Sequence, residues 1–186
     1  MQIKPWERIE PTKVTKVGWR TLVSKTFRLP SGEVGEFTTV HKEGQEFACV
    51  IALTKDNQVV IARQYRPGPE KIMDELPAGF VDDGETPEQA AHRELLEETG
   101  YKADRMEYLG YSSKDAYLNG HWHGFVAYDC ERVADNHGVE HEDIEVRLVS
   151  ISDLIDIAVH DGMTDPAAVL MAYEKLKQRE KNGKSN

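Results

Sequence analysis

Residues 79–101 read GFVDDGETPEQAAHRELLEETGY, and this stretch is the most informative part of the chain. A capping Thr86 is followed by Pro87 at the first helical position, and a glutamine stands three residues after the cap. Gly100 stands where a helix should end, since glycine readily adopts the left-handed conformation of a C-cap. The pattern therefore predicts a helix over 87–99.

Three carboxylates of this helix, Glu94, Glu97 and Glu98, lie within an arc of roughly 100° on one face. The other side carries residues suited to packing on a sheet: Ala91, Leu95, Leu96 and Thr99. Crowded carboxylates repel one another by about a few tenths of a kcal/mol per pair, and a divalent cation such as Mg²⁺ removes that repulsion. The alternative is an ordinary solvated acidic face. Composition alone favours the solvated face, and the spacing around the cluster is needed to decide.

Composition restricts the classes of function. The chain has 186 residues, 39% hydrophobic and 30% charged, which is typical of one soluble domain with a small appendage. A net charge of −10 argues against nucleic-acid binding, which needs a basic surface. No apolar run is long enough for a membrane span. Cys49 and Cys130 lie in apolar stretches and are expected to be buried free thiols, so a cytoplasmic protein is expected.

Strand patterns dominate the rest of the chain. Two hairpins are predicted from turn residues between apolar runs, over 17–28 with 34–41 and over 47–53 with 59–65. Further elements are an extended stretch at 73–81, strands near 105–112, 121–129 and 144–149, and helices over 151–160 and 166–180. Strands with interspersed helices predict an α+β (mixed α/β) fold.

The 79–101 segment resembles the signature of the Nudix hydrolases. That signature is Gly, five residues, Glu, seven residues, and then Arg-Glu-aliphatic-any-Glu-Glu-any-Gly-aliphatic. All seven fixed positions match, from Gly79 and Glu85 to Gly100, and a chance match is expected about once in 10⁸ starting positions. The departure is Tyr101, aromatic where the signature has an aliphatic residue.

The resemblance implies an α/β/α sandwich that hydrolyses a diphosphate linked to another group. It implies that Glu94, Glu97 and Glu98 bind Mg²⁺, for which Mn²⁺ can substitute, together with a backbone carbonyl of Ala78 or Gly79. Arg93 would brace the carboxylates and take part in catalysis, and Glu85 would support the loop before the helix.

Flanking motifs resemble the ADP-ribose pyrophosphatase branch of this family. They lie at 64–67, 75–79 and 142–146, and are joined by a strand-rich N-terminal extension. The implied organisation is a dimerising β extension over 1–45, a Nudix hydrolase domain over 46–180 and a disordered tail over 181–186. The implied partner is a nucleoside diphosphate-linked small molecule, and the implied assembly is a homodimer.

The branch also implies residues that contact the substrate. Arg66 and Glu75 would bind it, and Trp19 and Phe37 fall where relatives place aromatics that stack on adenine. Packing in the core or at a dimer interface is an equal alternative for Trp19 and Phe37. The stretch 112–120 lacks a proline that ADP-ribose specialists often carry, which keeps other nucleoside diphosphate sugars open as substrates.

Three glutamates are candidates for the general base. Relatives keep a catalytic Glu in the loop that corresponds to 134–143, where Glu142 and Glu140 are candidates, and Glu97 is the fallback. Two alternative functions stay open as well. One is hydrolysis of dinucleoside polyphosphates or modified nucleotides, and the other is a non-catalytic nucleotide-binding module.

Overall fold

The computed structural model describes residues 2–135 and 143–183. The chain divides into two compact units, one made of residues up to Gln45 together with Ser113–His121, and one made of Glu46–Ser112 together with the chain from Trp122 onward. The β extension expected over 1–45 thus shares its unit with a later segment of the chain.

The first unit is a three-stranded antiparallel sheet of β1 (Glu7–Val17), β2 (Arg20–Arg28) and β3 (Val34–Val40). The hairpin predicted from the turn after residue 29 is confirmed as β2–β3, and Gly32 has the positive φ that this turn requires. Strand β1 was not predicted. Its residues are mostly polar and exposed, and Pro11 lies where the pairing with β2 shifts register.

The second unit contains an eight-stranded sheet. Its strands are β4 (Glu46–Thr54), β5 (Val59–Arg66), β6 (Lys71–Glu75), β7 (Ala78–Phe80), β8 (Tyr101–Lys102), β9 (Arg105–Ser112), β10 (His121–Arg132) and β11 (Glu145–Val149). The order is β11-β5-β4-β10-β8, with β6 beside β5, β7 beside β4 and β9 beside β10. The predicted 73–81 stretch is divided into β6 and β7 around Pro77.

Three helices accompany this sheet: α1 (Pro87–Thr99), α2 (Ile151–Asp156) and α3 (Pro166–Gly183). Helix α1 has the predicted bounds. The helix predicted over 151–160 is α2 followed by a π-helical turn, Ile157–Asp161. Helix α3 continues to Gly183, so residues 181–183 are helical although we expected a tail there, and residues 184–186 lie outside the described part.

The helices cover both faces of the sheet. Successive side chains of β4 point to opposite faces, so each face has its own hydrophobic layer. Ala48, Val50 and Ala52 pack with α1 residues such as Leu95. Cys49, Ile51 and Leu53 pack in the other layer with residues of α2 and α3. This is the α/β/α arrangement that the family resemblance implied, and it agrees with the mixed α/β fold predicted from the strand and helix patterns. None of the described helices is long and apolar enough to cross a bilayer.

The two cysteines are buried free thiols, as expected, and they belong to opposite layers. Burial raises the pKa of Cys130 to about 12. One packing prediction for α1 was wrong: Leu95 is buried, but Leu96 is exposed. Glu94 and Glu98 are buried and lie on the face of α1 that is turned to the sheet.

Candidate active site

The ends of α1 are fixed by local hydrogen bonds. The Thr86 hydroxyl accepts from the backbone N–H of Gln89 at 3.2 Å, and the Gln89 side chain accepts from the backbone N–H of Thr86 at 2.8 Å. At the other end Gly100 is left-handed, with φ 73°, and its N–H donates to the Leu96 carbonyl at 2.8 Å. These caps fix where the helix begins and ends.

Two of the three predicted ligand carboxylates are buried against strand β7. Glu94 is 7% exposed and Glu98 is 4% exposed. The backbone N–H of Ala78 donates to Glu98 Oε2 at 3.0 Å. A Cβ built on Gly79 would lie 1.9 Å from Glu94 Oε1, so this carboxylate rests directly on the glycine backbone. A solvated acidic face is therefore wrong for Glu94 and Glu98.

Glu97 differs from its two neighbours, since its side chain is 47% exposed. It is tied to the cluster by Arg93, whose Nη1 donates to Glu97 Oε2 at 3.1 Å. The three carboxylates thus lie on one helix, with two held against β7 and one at the surface.

Arg93 connects most of the polar groups of the 79–101 segment. Its Nη1 also donates to Glu94 Oε1 at 2.7 Å, and its Nη2 donates to the Phe80 carbonyl at 2.7 Å. Its Nε and Nη2 form a paired contact with Glu85, at 3.1 and 3.0 Å. The bonds from Arg93, with a further bond from the Asp82 N–H, hold the pKa of Glu85 below its usual range. The hydrogen bonds between Arg93 and Glu85 also raise the pKa of Arg93.

The donor set of this cluster is made of oxygen atoms, which suits a hard divalent cation. Carboxylates of α1 converge on the backbone at Ala78–Gly79, where peptide carbonyls are also present. Within the described ranges, no three acidic, histidine or cysteine side chains are grouped as a ready-made cation site. Because Glu94 and Glu97 share Arg93, a cation would compete with the guanidinium for their oxygens.

Arg66 and Glu75 form an ion pair at the ends of β5 and β6. The Nε–H of Arg66 donates to Glu75 Oε2 at 2.6 Å. Glu75 is fully buried, and its Oε1 has no hydrogen-bond partner among the described residues. The structure therefore brings together two residues that the sequence placed near the substrate.

The other two candidate substrate contacts belong to the first unit. Trp19 lies in the turn between β1 and β2 and is 70% exposed, with the Arg20 guanidinium 4.3 Å from its ring centroid. Phe37 packs against Trp6 and Phe27, with ring centroids 5.0 and 6.1 Å apart. Phe37 thus has the ring contacts that the packing alternative expects, and stacking of Trp19 and Phe37 on adenine stays a prediction.

The candidates for the general base are Glu142, Glu140 and Glu97. Glu140 and Glu142 lie in the stretch 136–142, outside the described residues. Glu97, the fallback, is within the described part and is bound to Arg93.

Sequence reasoning missed two polar arrangements of the second unit. At the candidate site, the Phe80 carbonyl anchors Arg93, and a backbone acceptor has no signature in the sequence. In the same unit, His123 Nε2 lies 2.5 Å from Glu46 Oε2 and His123 Nδ1 lies 2.9 Å from the Tyr108 hydroxyl. These three residues come from three separate strands, and their spacing along the chain contains no pattern.

Known proteins resemble this chain in sequence and in fold. Residues 44–172 match the NUDIX domain family. The chain is 34% identical over 125 residues to the methanol dehydrogenase activator of Bacillus methanolicus, covering 67% of this chain and 66% of that protein. It is 28% identical over 156 residues to the ADP-ribose pyrophosphatase of Bacillus subtilis, covering 81% of this chain and 82% of that one.

A solved structure has the same fold. It is the crystal structure of an ADP compounds hydrolase, with a TM-score of 0.79 and 20% identity, and the superposition covers 96% of this chain and 98% of that chain. The predicted α/β/α sandwich is thereby confirmed.

Sequence, fold and site geometry agree. Nudix hydrolases generally need a divalent metal. The chain therefore belongs to the Nudix hydrolase family, and it is similar to the ADP-ribose pyrophosphatases within that family.

Proposed function

We propose that this protein is a Mg²⁺-dependent hydrolase that cleaves the pyrophosphate bond of ADP-ribose or a related nucleoside diphosphate sugar. The products are a nucleoside monophosphate and a sugar phosphate. One observation carries the proposal: the buried carboxylates of Glu94 and Glu98 meet the Ala78–Gly79 backbone, and Arg93 donates to Glu94. The name of the Bacillus subtilis relative, an ADP-ribose pyrophosphatase, supports the substrate class.

The metal ligands that we propose are Glu94, Glu97, Glu98 and the Ala78 carbonyl, holding Mg²⁺ or, in its place, Mn²⁺. When bound, such an ion polarises phosphorus–oxygen bonds, neutralises developing charge and lowers the pKa of the attacking water. Arg93 donates to both the Glu94 and the Glu97 carboxylate and so holds these two proposed ligands near one another.

We propose an arginine and two aromatic residues as contacts of the substrate. The Arg66 guanidinium suits a phosphate group, because its planar donors match two oxygen atoms at once. Trp19 is exposed and therefore able to stack on a base, and we propose it, with Phe37, as the adenine contact.

The general base that we propose is Glu142, with Glu140 and then Glu97 as the alternatives. Removing a general base lowers kcat by about 10²- to 10⁴-fold. The test compares kcat of three variants at saturating substrate and Mg²⁺: Glu142→Gln, Glu140→Gln and Glu97→Gln. The general base is the residue whose replacement gives the largest loss of kcat. Equal and small losses in all three would reject this set of candidates.

The assembly and setting complete the proposal. We propose a cytoplasmic homodimer that acts on a nucleoside diphosphate-linked small molecule and not on nucleic acid or a membrane. The net charge of −10 supports the choice of a small molecule. Exposed apolar side chains of the first unit, Val14, Val17 and Trp19, support a dimer contact through the β extension. Light scattering should give twice the mass of the chain, and the mass of one chain would reject the dimer.

The deciding experiment is a substrate panel with two matched glutamine variants. ADP-ribose, other nucleoside diphosphate sugars, dinucleoside polyphosphates and oxidised nucleotides are incubated with Mg²⁺ or Mn²⁺, and the products are identified. Glu98→Gln should lose activity while keeping its circular dichroism spectrum. Glu88→Gln, on an exposed position of the same helix, should keep full activity.

The outcomes separate the candidate functions. If a dinucleoside polyphosphate or an oxidised nucleotide is turned over fastest, the proposed substrate class changes but the proposed mechanism does not. Tight binding of a nucleotide sugar without turnover at any metal concentration would indicate a non-catalytic module. A wild-type rate in Glu98→Gln would reject the metal site.

A further inference from the structure

The most unusual buried group in the second unit is the carboxylate of Glu75. Its side chain is fully buried, yet its Oε1 has no hydrogen-bond partner among the described residues. Its other oxygen, Oε2, accepts from Arg66 Nε at 2.6 Å. A buried carboxylate with one unpaired oxygen opposes folding, so a functional reason for keeping it is needed.

We infer that Glu75 is a positioning residue, which holds the Arg66 guanidinium in place for the substrate and does not itself contact the substrate. The inference rests on the proposed function and deepens it, because it assigns a role to a residue that the family resemblance implied only as a substrate contact.

Burial separates the roles of the two partners. The side chain of Glu75 is 1% exposed, whereas that of Arg66 is 34% exposed. A ligand arriving from solvent can therefore reach the guanidinium, while the carboxylate lies behind it. A direct contact between Glu75 and a substrate would require Arg66 to move away first.

Strand register explains the direction of the Arg66 side chain. Glu75 pairs with Ala62 in the antiparallel β5–β6 ladder, four residues before Arg66 on the same face of β5. To reach Glu75, the Arg66 side chain must lean back along its own strand. This face also carries Val60, which packs in the layer of α1. The guanidinium is thus held on the side of the sheet that carries Glu94 and Glu98.

The charge on Glu75 makes this arrangement hard to undo. If Arg66 swung into solvent, Oε2 would lose its partner as well and neither oxygen of the buried carboxylate would be paired, which is far less favourable than opening an ion pair at the surface. The pair uses the Nε–H of Arg66, so the donors on Nη1 and Nη2 are not part of it. Those donors form a planar group whose orientation is set before any anion binds, and such preorganisation strengthens binding.

The inference predicts a specific kinetic change. Glu75→Gln keeps the size of the side chain and an acceptor oxygen but removes the charge that retains Arg66. With ADP-ribose and Mg²⁺, we expect KM to rise about 5- to 30-fold and kcat to stay within about twofold, the pattern of lost uniform binding. The Mg²⁺ concentration for half-maximal activity should not change, and the thermal midpoint should be equal to or higher than that of the wild type, since a buried charge has been removed.

The test is a double-mutant cycle of Glu75→Gln and Arg66→Ala with a control on the same strand. Asp74→Asn serves as the control, because Asp74 pairs with Arg147 at 2.9 Å on the opposite face of β6. It should lower stability and leave KM unchanged. If Arg66→Ala fails to fold because it leaves Glu75 unpaired, Arg66→Lys replaces it in the cycle, since lysine keeps a cation but lacks the planar donors.

Each result has one meaning. A rise in KM for Glu75→Gln that disappears when Arg66 is already replaced supports the positioning role. Additive effects of the two substitutions would overturn it in favour of a direct contact of Glu75 with the substrate, and an unchanged KM in Glu75→Gln would overturn it as well. A wild-type protein that turns over none of the diphosphate substrates would reject the proposed function, and this inference with it.

Discussion

The carboxylate of Glu94 occupies the space that a side chain on Gly79 would need. An ideal Cβ at Gly79 would lie 1.9 Å from Glu94 Oε1 and 2.3 Å from its carboxyl carbon. Gly79 does not have a positive φ, so backbone conformation is not the reason for glycine at this position. The reason is the close approach of a buried carboxylate to the backbone of β7.

Gly79→Ala should therefore disable the site while the fold survives. The added methyl group has to displace Glu94, and a displacement of about 1 Å in a catalytic group can lower activity by about 10²-fold. Overpacking should also lower the free energy of unfolding by about 1–3 kcal/mol. Steady-state kinetics and urea denaturation measure the two effects.

Gly68→Ala is the control for that substitution, because an added Cβ there would meet no atom within 4 Å. It should leave both quantities unchanged. Equal activity of the Gly79 and Gly68 variants would contradict the close contact with Glu94.

Arg93→Lys should reduce activity although the charge is kept. Lysine cannot reproduce the simultaneous bonds that Arg93 makes to Glu85, Glu94 and the Phe80 carbonyl. Losing one hydrogen bond of a charged group corresponds to about 1.5–3 kcal/mol, so kcat/KM should fall by roughly 10- to 100-fold. Arg28→Lys, in an exposed pair with Glu7, should have no effect. A fall of less than twofold in the Arg93 variant would argue against a bracing role.

Leu95→Ala and Leu96→Ala should differ strongly in stability. Leu95 is fully buried between α1 and β4, whereas Leu96 is exposed. Replacing a buried leucine by alanine lowers the free energy of unfolding by about 2–5 kcal/mol, and a substitution at an exposed position changes it by less than about 0.5 kcal/mol. Denaturant titration compares the two variants. Similar losses in both would mean that α1 is rotated relative to the sheet.

Glu43 should contribute to stability in a limited pH range. Hydrogen bonds from Arg8 and Lys25 lower its pKa from 4.5 to about 2 in the folded protein. Since the folded pKa is depressed, the contribution is present above the unfolded value and is lost as the pH falls through the range between the two values. The difference in unfolding free energy between wild type and Glu43→Gln should therefore be largest at neutral pH and shrink below about pH 4.5. A difference that does not vary with pH would contradict this pairing.

Prediction from sequence worked best where structure is local. Helix α1 was predicted with its observed bounds, because its caps are made by residues within three or four positions of one another. Strand β1 was missed because its stability comes from pairing with β2 and not from an apolar pattern. The exposure of Leu96 was missed for a related reason: helical periodicity gives the relative directions of side chains, but the rotation of a helix depends on what it packs against.

The 79–101 segment by itself determined the family and the set of carboxylates, since both depend on residue identity and spacing along one helix. The tertiary structure decided that Glu94 and Glu98 are buried against β7, that Arg93 is anchored on the Phe80 carbonyl and that Arg66 is held by Glu75. These contacts join strands and a helix through backbone atoms and through the register of β5 and β6. Neither backbone acceptors nor strand register has a signature in the order of residues. The carboxylates and the bracing Arg93 could therefore be proposed from sequence, whereas the Phe80 anchor of Arg93 and the contacts of Glu94 and Glu98 with β7 could not.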